Sequence, residues 1–184
     1  MADLGVLKGI FEPYESTLQD TSYDLTNKKY LCQSQERVIN FDKYTQTKAQ
    51  KSKCKANKSF DTLYFHHETS SVYCVEFKNQ KYSDIDSDDI REKFIYGIAQ
   101  LREIFISQNI NTDNFTFNLF VVFKNPRETR AFHTRFVETE TFFGLDTKKF
   151  KESLAKIKSL KIKTGYGAQF GKIYKKLFHN ESNC

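Results

Sequence analysis

The chain has 184 residues, of which 39% are hydrophobic and 15% aromatic, and its formal net charge is +6. This apolar content excludes an intrinsically disordered chain, and the length allows a core without stapling by disulfides or a structural metal. No run of about eighteen apolar residues occurs, and the N-terminus lacks the basic and apolar regions of a signal peptide. We therefore predict one soluble domain spanning residues 1–184, with no membrane partner.

The cysteines do not show the paired C-x-x-C spacing of zinc or redox sites. They are Cys32, Cys54, Cys74 and Cys184. We expect reduced thiols and, with no leader sequence, a cytoplasmic protein.

Two segments hold most of the excess lysine. Residues 42–58 contain six lysines against one acid, and residues 148–178 contain ten against Glu152 alone. Such segments favour a polyanionic partner, although a solvated face that keeps the protein soluble would look the same. The basic residues that we expect to contact nucleic acid are Lys53, Lys55, Lys58, Arg127, Arg130, Lys172 and Lys175.

The N-terminal part gives weaker signals than the middle of the chain. We predict a short helix at residues 14–20 and a strand at residues 37–41. Residues 60–66 and 71–78 are rich in β-formers on either side of a polar turn, which predicts a β-hairpin. If the turn centres near Thr69, residue i lies opposite roughly residue 138 minus i. Asp61 then falls beside residues 76–78.

An amphipathic helix is predicted at residues 87–107, capped by Ser87 or Asp89. The apolar run at residues 115–123 suits a strand buried on both faces, and the helix before it allows this strand to run parallel to the hairpin's second strand. We place the core at about residues 36–125. A basic helical part follows at about 126–184, with helices suggested around residues 150–157 and 170–178. The pattern predicts an α/β fold with a central mixed sheet flanked by helices.

Glu76 and Lys78 project from the same face of the second hairpin strand, because successive side chains alternate across a strand. A carboxylate and an ammonium group near the interior of a sheet cost several kcal/mol in desolvation unless they are partnered. Asp61 on the neighbouring strand supplies a second carboxylate. Two carboxylates form a hard oxygen site that suits Mg²⁺ or Mn²⁺.

These residues, in the segments F-D-T-L-Y-F and C-V-E-F-K-N-Q, resemble the acid and E-x-K elements of the PD-(D/E)XK nuclease superfamily, which includes restriction endonucleases and Holliday junction resolvases. The resemblance spans about residues 60–123 and implies a restriction endonuclease-like αβββαβ core. It implies that Asp61, Glu76 and the carbonyl of Phe77 bind the metal and that Lys78 assists the attacking water. Phe60 stands where the family has proline.

Two further positions concern the same predicted site. Gln80 would share the face of Lys78 if the strand continued, and its amide could then touch the attacking water or a phosphate; a polar residue at a strand end is the alternative. Family members often place a glutamate on the first helix. Glu12, Glu15 and Glu36 compete for that role, and we favour Glu15.

We expect a Mg²⁺- or Mn²⁺-dependent nuclease that hydrolyses phosphodiester bonds. DNA rather than RNA is implied by the resemblance alone, and a homodimer is plausible because cutting two strands needs two centres. One alternative is a nuclease-like module that binds nucleic acid or a protein partner without turnover. Another is a structural interaction protein with an internal salt bridge.

Overall fold

The computed structural model describes residues 5–80 and 82–123, Leu154, and the backbone of residues 160–166. In chain order the strands are β1 Glu15–Thr17, β2 Tyr23–Asp24, β3 Lys29–Tyr30, β4 Arg37–Asn40, β5 Thr62–His66, β6 Ser71–Lys78, β7 Thr116–Phe123 and β8 Leu160–Tyr166. The α-helices are α1 Gly5–Phe11, α2 Leu18–Thr21, α3 Phe41–Lys51 and α4 Ser87–Ser107. Short 3-10 turns lie at Glu12–Tyr14, Tyr82–Asp84 and Thr112–Asn114.

Six strands form one mixed sheet in the order β1-β4-β5-β6-β7-β8. The β1–β4, β4–β5 and β5–β6 pairs are antiparallel, whereas β6–β7 and β7–β8 are parallel. Strands β2 and β3 form a separate two-stranded sheet. The predicted α/β fold with a mixed sheet flanked by helices is confirmed at this level.

The β5–β6 hairpin brings the predicted site residues to one end of the sheet. Thr62 lies opposite Val75 and His66 opposite Ser71, and one more step places Asp61 opposite Glu76. The reverse turn ends at Ser70, which has a positive φ of 47°. The predicted hairpin is confirmed, with a register that differs by one residue from our expectation.

Helix α4 carries the chain from β6 back to the start of β7, so the two strands run parallel, as predicted. Its buried stripe includes Ile90, Phe94, Ile98 and Leu101. The cap was predicted wrongly. Asp86 caps the helix, and its carboxylate accepts the N–H of Asp88 at 2.8 Å.

Two further expectations about secondary structure are wrong. Residues 14–20 are divided among a 3-10 turn, strand β1 and helix α2, since Thr17 is extended and caps α2. Residues 160–166, which we placed in a basic helical part, form strand β8 beside β7. The helices suggested around residues 150–157 and 170–178 lie outside the described residues, apart from buried Leu154.

The larger core lies between the sheet and helices α1, α3 and α4. The ring of Phe60 stacks on Phe41 with 4.6 Å between centroids and packs against Phe94 at 6.0 Å. Gly97 of α4 faces the Phe60 ring so closely that a Cβ atom would lie 2.7 Å from it. This packing fixes the backbone immediately before Asp61. A smaller core on the other face contains Leu18, Cys32, Val38, Val75, Phe77, Phe120 and Val122.

The cysteines differ in their chemical state. Cys54 and Cys74 are free thiols, the first exposed and the second buried. Cys32 is disulfide-bonded, so our expectation of reduced thiols is wrong for this residue. In the described part of the chain, no helix combines the length and apolar character needed to cross a membrane.

Candidate active site

Glu76 is a fully buried carboxylate on a central strand of the sheet. It shares the face of Cys74, which packs in the larger core beneath α4. Lys78 follows at the end of β6 and places its Nζ 3.2 Å from Oε1 of Glu76. The predicted pairing of these two side chains on one face is therefore present.

A second lysine reaches the same carboxylate oxygen from the helix. The Nζ of Lys93 on α4 lies 2.6 Å from Oε1 of Glu76. Burial favours the neutral amine, but the carboxylates of Glu76 and Asp61 outweigh this effect and raise the pKa of Lys93. Glu76 is thus held between two ammonium groups on different elements.

Asp61 stands in a bend just before β5, and its Oδ2 accepts the backbone N–H of Phe77 at 2.7 Å. The residue is partly exposed. Burial of the carboxylate, together with the charge of Glu76, raises the pKa of Asp61 well above its ordinary value. The charge of Glu76 thus opposes ionisation of Asp61, and a neighbouring pair of carboxylates is stabilised by a cation between them.

The charges continue outward from this pair toward solvent. The Nζ of Lys78 also lies 3.0 Å from Asp89, which is 3.0 Å from Lys58, and Lys58 is 2.8 Å from Glu92. Burial opposes ionisation of Asp89, but the hydrogen bonds from Lys78 and Lys58 prevail and lower its pKa. Side-chain exposure rises from none at Glu76 to 49% at Glu92. A row of alternating charges, which we call the charged row, therefore links the buried carboxylate to the surface. Its members in order are Glu76, Lys78, Asp89, Lys58 and Glu92.

The donor set fits a hard divalent cation with few protein ligands. Oε2 of Glu76 is buried and has no hydrogen-bond partner among the described residues, and the carboxylate of Asp61 is its neighbour. No group of three or more metal-ligating side chains occurs in the described part of the chain. Mg²⁺ commonly binds through one or two carboxylates and takes its other positions from water and substrate phosphate.

The other predicted site residues differ in their relation to this group: Glu15 and Gln80 do not join it, whereas the backbone of Phe77 does. Glu15 lies in strand β1 and not on a helix, and it pairs with Arg37 at 3.3 Å. Gln80 is exposed two residues beyond the end of β6, so the strand does not carry it onto the face of Lys78. Phe77 has its side chain in the smaller core, and its backbone N–H contacts Asp61.

The predicted basic contacts divide into three groups. Lys53 and Lys55 are exposed after α3. Lys58 is part of the charged row through Asp89 and Glu92. The remaining four lie outside the described residues: Arg127, Arg130, Lys172 and Lys175.

Sequence reasoning missed Lys93 and assigned Asp89 only to helix capping. Asp89 and Lys93 lie one turn apart and so share a face of α4. That face borders the buried stripe of the helix, which places both side chains near the end of β6. The sequence carries no clear signal for the contact of Lys93, since a lysine at the edge of an apolar stripe can also extend its ammonium group into solvent.

No family model, curated protein or solved structure matches this chain.

Proposed function

We propose that this protein is a metal-dependent nuclease that hydrolyses phosphodiester bonds, with DNA as its substrate. The observation that carries the proposal is the meeting of Asp61 and Glu76, where one buried carboxylate oxygen has no partner among the described residues. A carboxylate oxygen in that condition costs about 1–3 kcal/mol or more, so a group that satisfies it is expected.

The topology supports the same proposal. Strands β4, β5 and β6 pair antiparallel in that order, α4 crosses over, and β7 returns parallel to β6. Helix α3 separates β4 from β5 along the chain, which departs from the αβββαβ order that the resemblance implies; the β5–β6–α4–β7 part has the implied order. The acid also stands at the start of β5, and the E-x-K residues stand on β6.

The chain's own residues have distinct roles in this proposal. A bound Mg²⁺ or Mn²⁺ would polarise the scissile phosphate and lower the pKa of a water. Asp61 and Glu76 would hold the ion, with the Phe77 carbonyl as a further ligand. Lys78 orients the attacking water and offsets charge that develops on the phosphate. Lys93 neutralises Glu76 before the ion binds, which explains how a buried carboxylate is tolerated.

A second candidate is a nuclease-like module that binds nucleic acid without turnover. The contacts of Lys78 and Lys93 favour it, because two ammonium groups on one oxygen already balance Glu76 without any ion. The two candidates differ in whether a divalent ion displaces that balance.

Cleavage of supercoiled, single-stranded and branched DNA in Mg²⁺ or Mn²⁺ tests the proposal. Glu76→Gln and Lys78→Met should each lower the rate by at least about a hundredfold, as is common for groups that act on the developing charge. Glu68→Gln in the exposed hairpin turn and Lys8→Met on α1 are matched controls and should cut like the wild type. Equal rates in Glu76→Gln and the wild type would overturn the catalytic role.

A further inference from the structure

The small β2–β3 hairpin stands outside the main sheet and is fixed at its base. Tyr23 pairs with Tyr30. Ser22 directly precedes Tyr23, at the base of the hairpin. The carbonyl of Ser22 accepts the N–H of Leu31 at 3.2 Å, and its hydroxyl accepts the N–H of Cys32 at 3.0 Å. Since an isolated two-stranded hairpin is marginally stable, these bonds anchor it to the buried Cys32.

Asp24 organises the tip of this hairpin. Its Oδ1 accepts the N–H groups of Thr26 at 2.8 Å and Asn27 at 3.0 Å, and Oδ2 accepts the Asn27 amide at 2.6 Å. Lys28 completes the turn with a φ of 51°. The carboxylate is thereby occupied by the turn, and the tip has a defined shape.

The hairpin presents an unusual surface for so short an element. Tyr23 and Tyr30 are 37% and 48% exposed with ring centroids 4.7 Å apart, and Leu25 at the tip is 82% exposed. Lys28 and Lys29 are exposed beside them. Exposed rings next to lysines suit single-stranded nucleic acid, where bases stack on aromatic side chains and lysines contact the backbone.

Its position connects this surface with the candidate active site. Leu31 and Cys32, which follow β3 at the base of the hairpin, pack in the smaller core, which also contains Phe77. Phe77 directly precedes Lys78, the last residue of β6. The base of the hairpin therefore lies on the face of the sheet opposite Glu76, near the end of β6 where the charged row begins.

We propose that the β2–β3 hairpin binds unpaired bases of the nucleic-acid substrate beside the candidate active site. Tyr23 and Tyr30 stack on the bases, Leu25 packs against the next base or sugar, and Lys28 and Lys29 contact phosphates. The identity of the ligand as substrate rests on the proposed nuclease function. The predicted preference is for single-stranded or gapped nucleic acid over an intact duplex.

Fluorescence anisotropy in EDTA, where metal-dependent cleavage is suppressed, tests this preference. The probes are a labelled DNA strand of about 20 nucleotides, its duplex, and a duplex with an internal gap. Replacing both Tyr23 and Tyr30 by alanine should weaken binding to the strand and the gapped duplex by at least about tenfold, and to the intact duplex by less than about twofold. The double phenylalanine variant keeps both rings and should bind like the wild type.

Leu25→Ala should weaken single-strand binding. Ile106→Ala is the control and should not, because Ile106 is also an exposed aliphatic residue but lies near the end of α4. Should the double alanine variant fail to fold by circular dichroism, photocrosslinking of wild-type protein to 5-iodouracil DNA replaces it. Adducts at Tyr23 or Tyr30 support the proposal, and adducts only at other sites overturn it.

The remaining outcomes separate this inference from the nuclease proposal. Equal losses on strand and duplex, no loss, or no DNA binding by the wild type would overturn the hairpin's role; in the last case a protein partner becomes the better account of its surface. If Glu76→Gln abolishes cleavage while the tyrosine variants bind normally, only the hairpin inference fails. If the wild type cleaves no DNA in Mg²⁺ or Mn²⁺ while the tyrosine variants lose the strand, only the nuclease proposal fails.

Discussion

Glu76 is the residue around which the candidate site is organised. Its carboxylate is fully buried, yet it contacts two lysines through the same oxygen and leaves the other oxygen without a partner among the described residues. A buried charge is tolerated only when it is compensated, and removal of one partner is strongly destabilising. The lysines are therefore expected to matter for stability as well as for the proposed chemistry.

Lys93→Met should increase the affinity for Mn²⁺ by about tenfold, or about 1.4 kcal/mol, because it removes an ammonium group that competes for Glu76. The same change should lower the melting temperature in EDTA, since Glu76 then retains Lys78 alone. Isothermal titration with Mn²⁺ and thermal unfolding measure the two effects, with exposed Lys8→Met as control. Weaker Mn²⁺ binding by Lys93→Met would argue against competition.

Asp61 should make the metal-free protein less stable as pH rises. Its pKa is raised in the folded state, so the unfolded chain loses its proton first, and stability falls from the ordinary value of 3.8 toward the raised value. Asp61→Asn cannot ionise and lacks this loss. In urea unfolding in EDTA between about pH 5 and pH 7, the free energy of unfolding of Asp61→Asn should increase relative to that of the wild type as pH rises. A constant difference across that range would contradict the assignment.

At the scale of elements, the site depends on how closely α4 approaches the bend before β5. Gly97 permits this approach, because a Cβ there would lie 2.7 Å from the Phe60 ring. Phe60 directly precedes Asp61 and stacks on Phe41. Displacement of the ring would therefore reach the carboxylate as well as the core.

Gly97→Ala should destabilise the protein by about 1–3 kcal/mol, as expected for overpacking, and should weaken Mn²⁺ binding. Gly9→Ala is the matched control, because a Cβ at that helical position meets nothing within 4 Å. It should be neutral or stabilise by up to about 1 kcal/mol. Urea denaturation of both variants tests the contrast, and equal stabilities would show that Phe60 adjusts without cost.

The elements with strong local patterns were predictable, and those that depend on distant partners were not. The β5–β6 hairpin follows from two runs of β-forming residues around a polar turn, and α4 follows from a helical pattern of apolar residues. Strand β1 is three residues long and exists through its pairing with β4, which local sequence does not report. Strand β8 lies in a lysine-rich segment, where pairing with the buried β7 outweighs a weak local preference.

The same distinction applies to the candidate site. Asp61, Glu76 and Lys78 could be placed together because one hairpin holds all three. Lys93 arrives through the packing of α4 on the sheet, and no local pattern fixes that rotation. Its contact with Glu76 therefore emerges only in three dimensions.

At the scale of the whole molecule, the lysine-rich segment at residues 42–58 leads to the candidate site through Lys58. The lysines from Lys43 to Lys55 are exposed on α3 and just after it, and Lys58 joins the charged row through Asp89. A polyanion bound along this segment would therefore be led toward the candidate site. The net charge of +6 favours such binding.

Nucleic-acid binding should weaken steeply as NaCl rises, because lysine contacts release counterions from the phosphates. Replacing Lys53 and Lys55 by glutamine should reduce the slope of log Kd against log salt by about 2. Lys8→Gln on α1 should leave the slope unchanged. Anisotropy titrations over a range of NaCl concentrations measure this, and an unaltered slope in the double variant would place the backbone contacts elsewhere.

The reactivity of the buried Cys74 thiol can report how often the sheet opens. It lies two residues before Glu76 on the same face, and burial raises its pKa well above the ordinary value. Alkylation at Cys74 thus requires β6 to be uncovered, whereas exposed Cys54 reacts without any opening. Iodoacetamide labelling followed by peptide mass spectrometry would measure how often the interior beside the carboxylates becomes accessible to solvent. A divalent ion that binds there should lower the alkylation rate at Cys74 but not at Cys54.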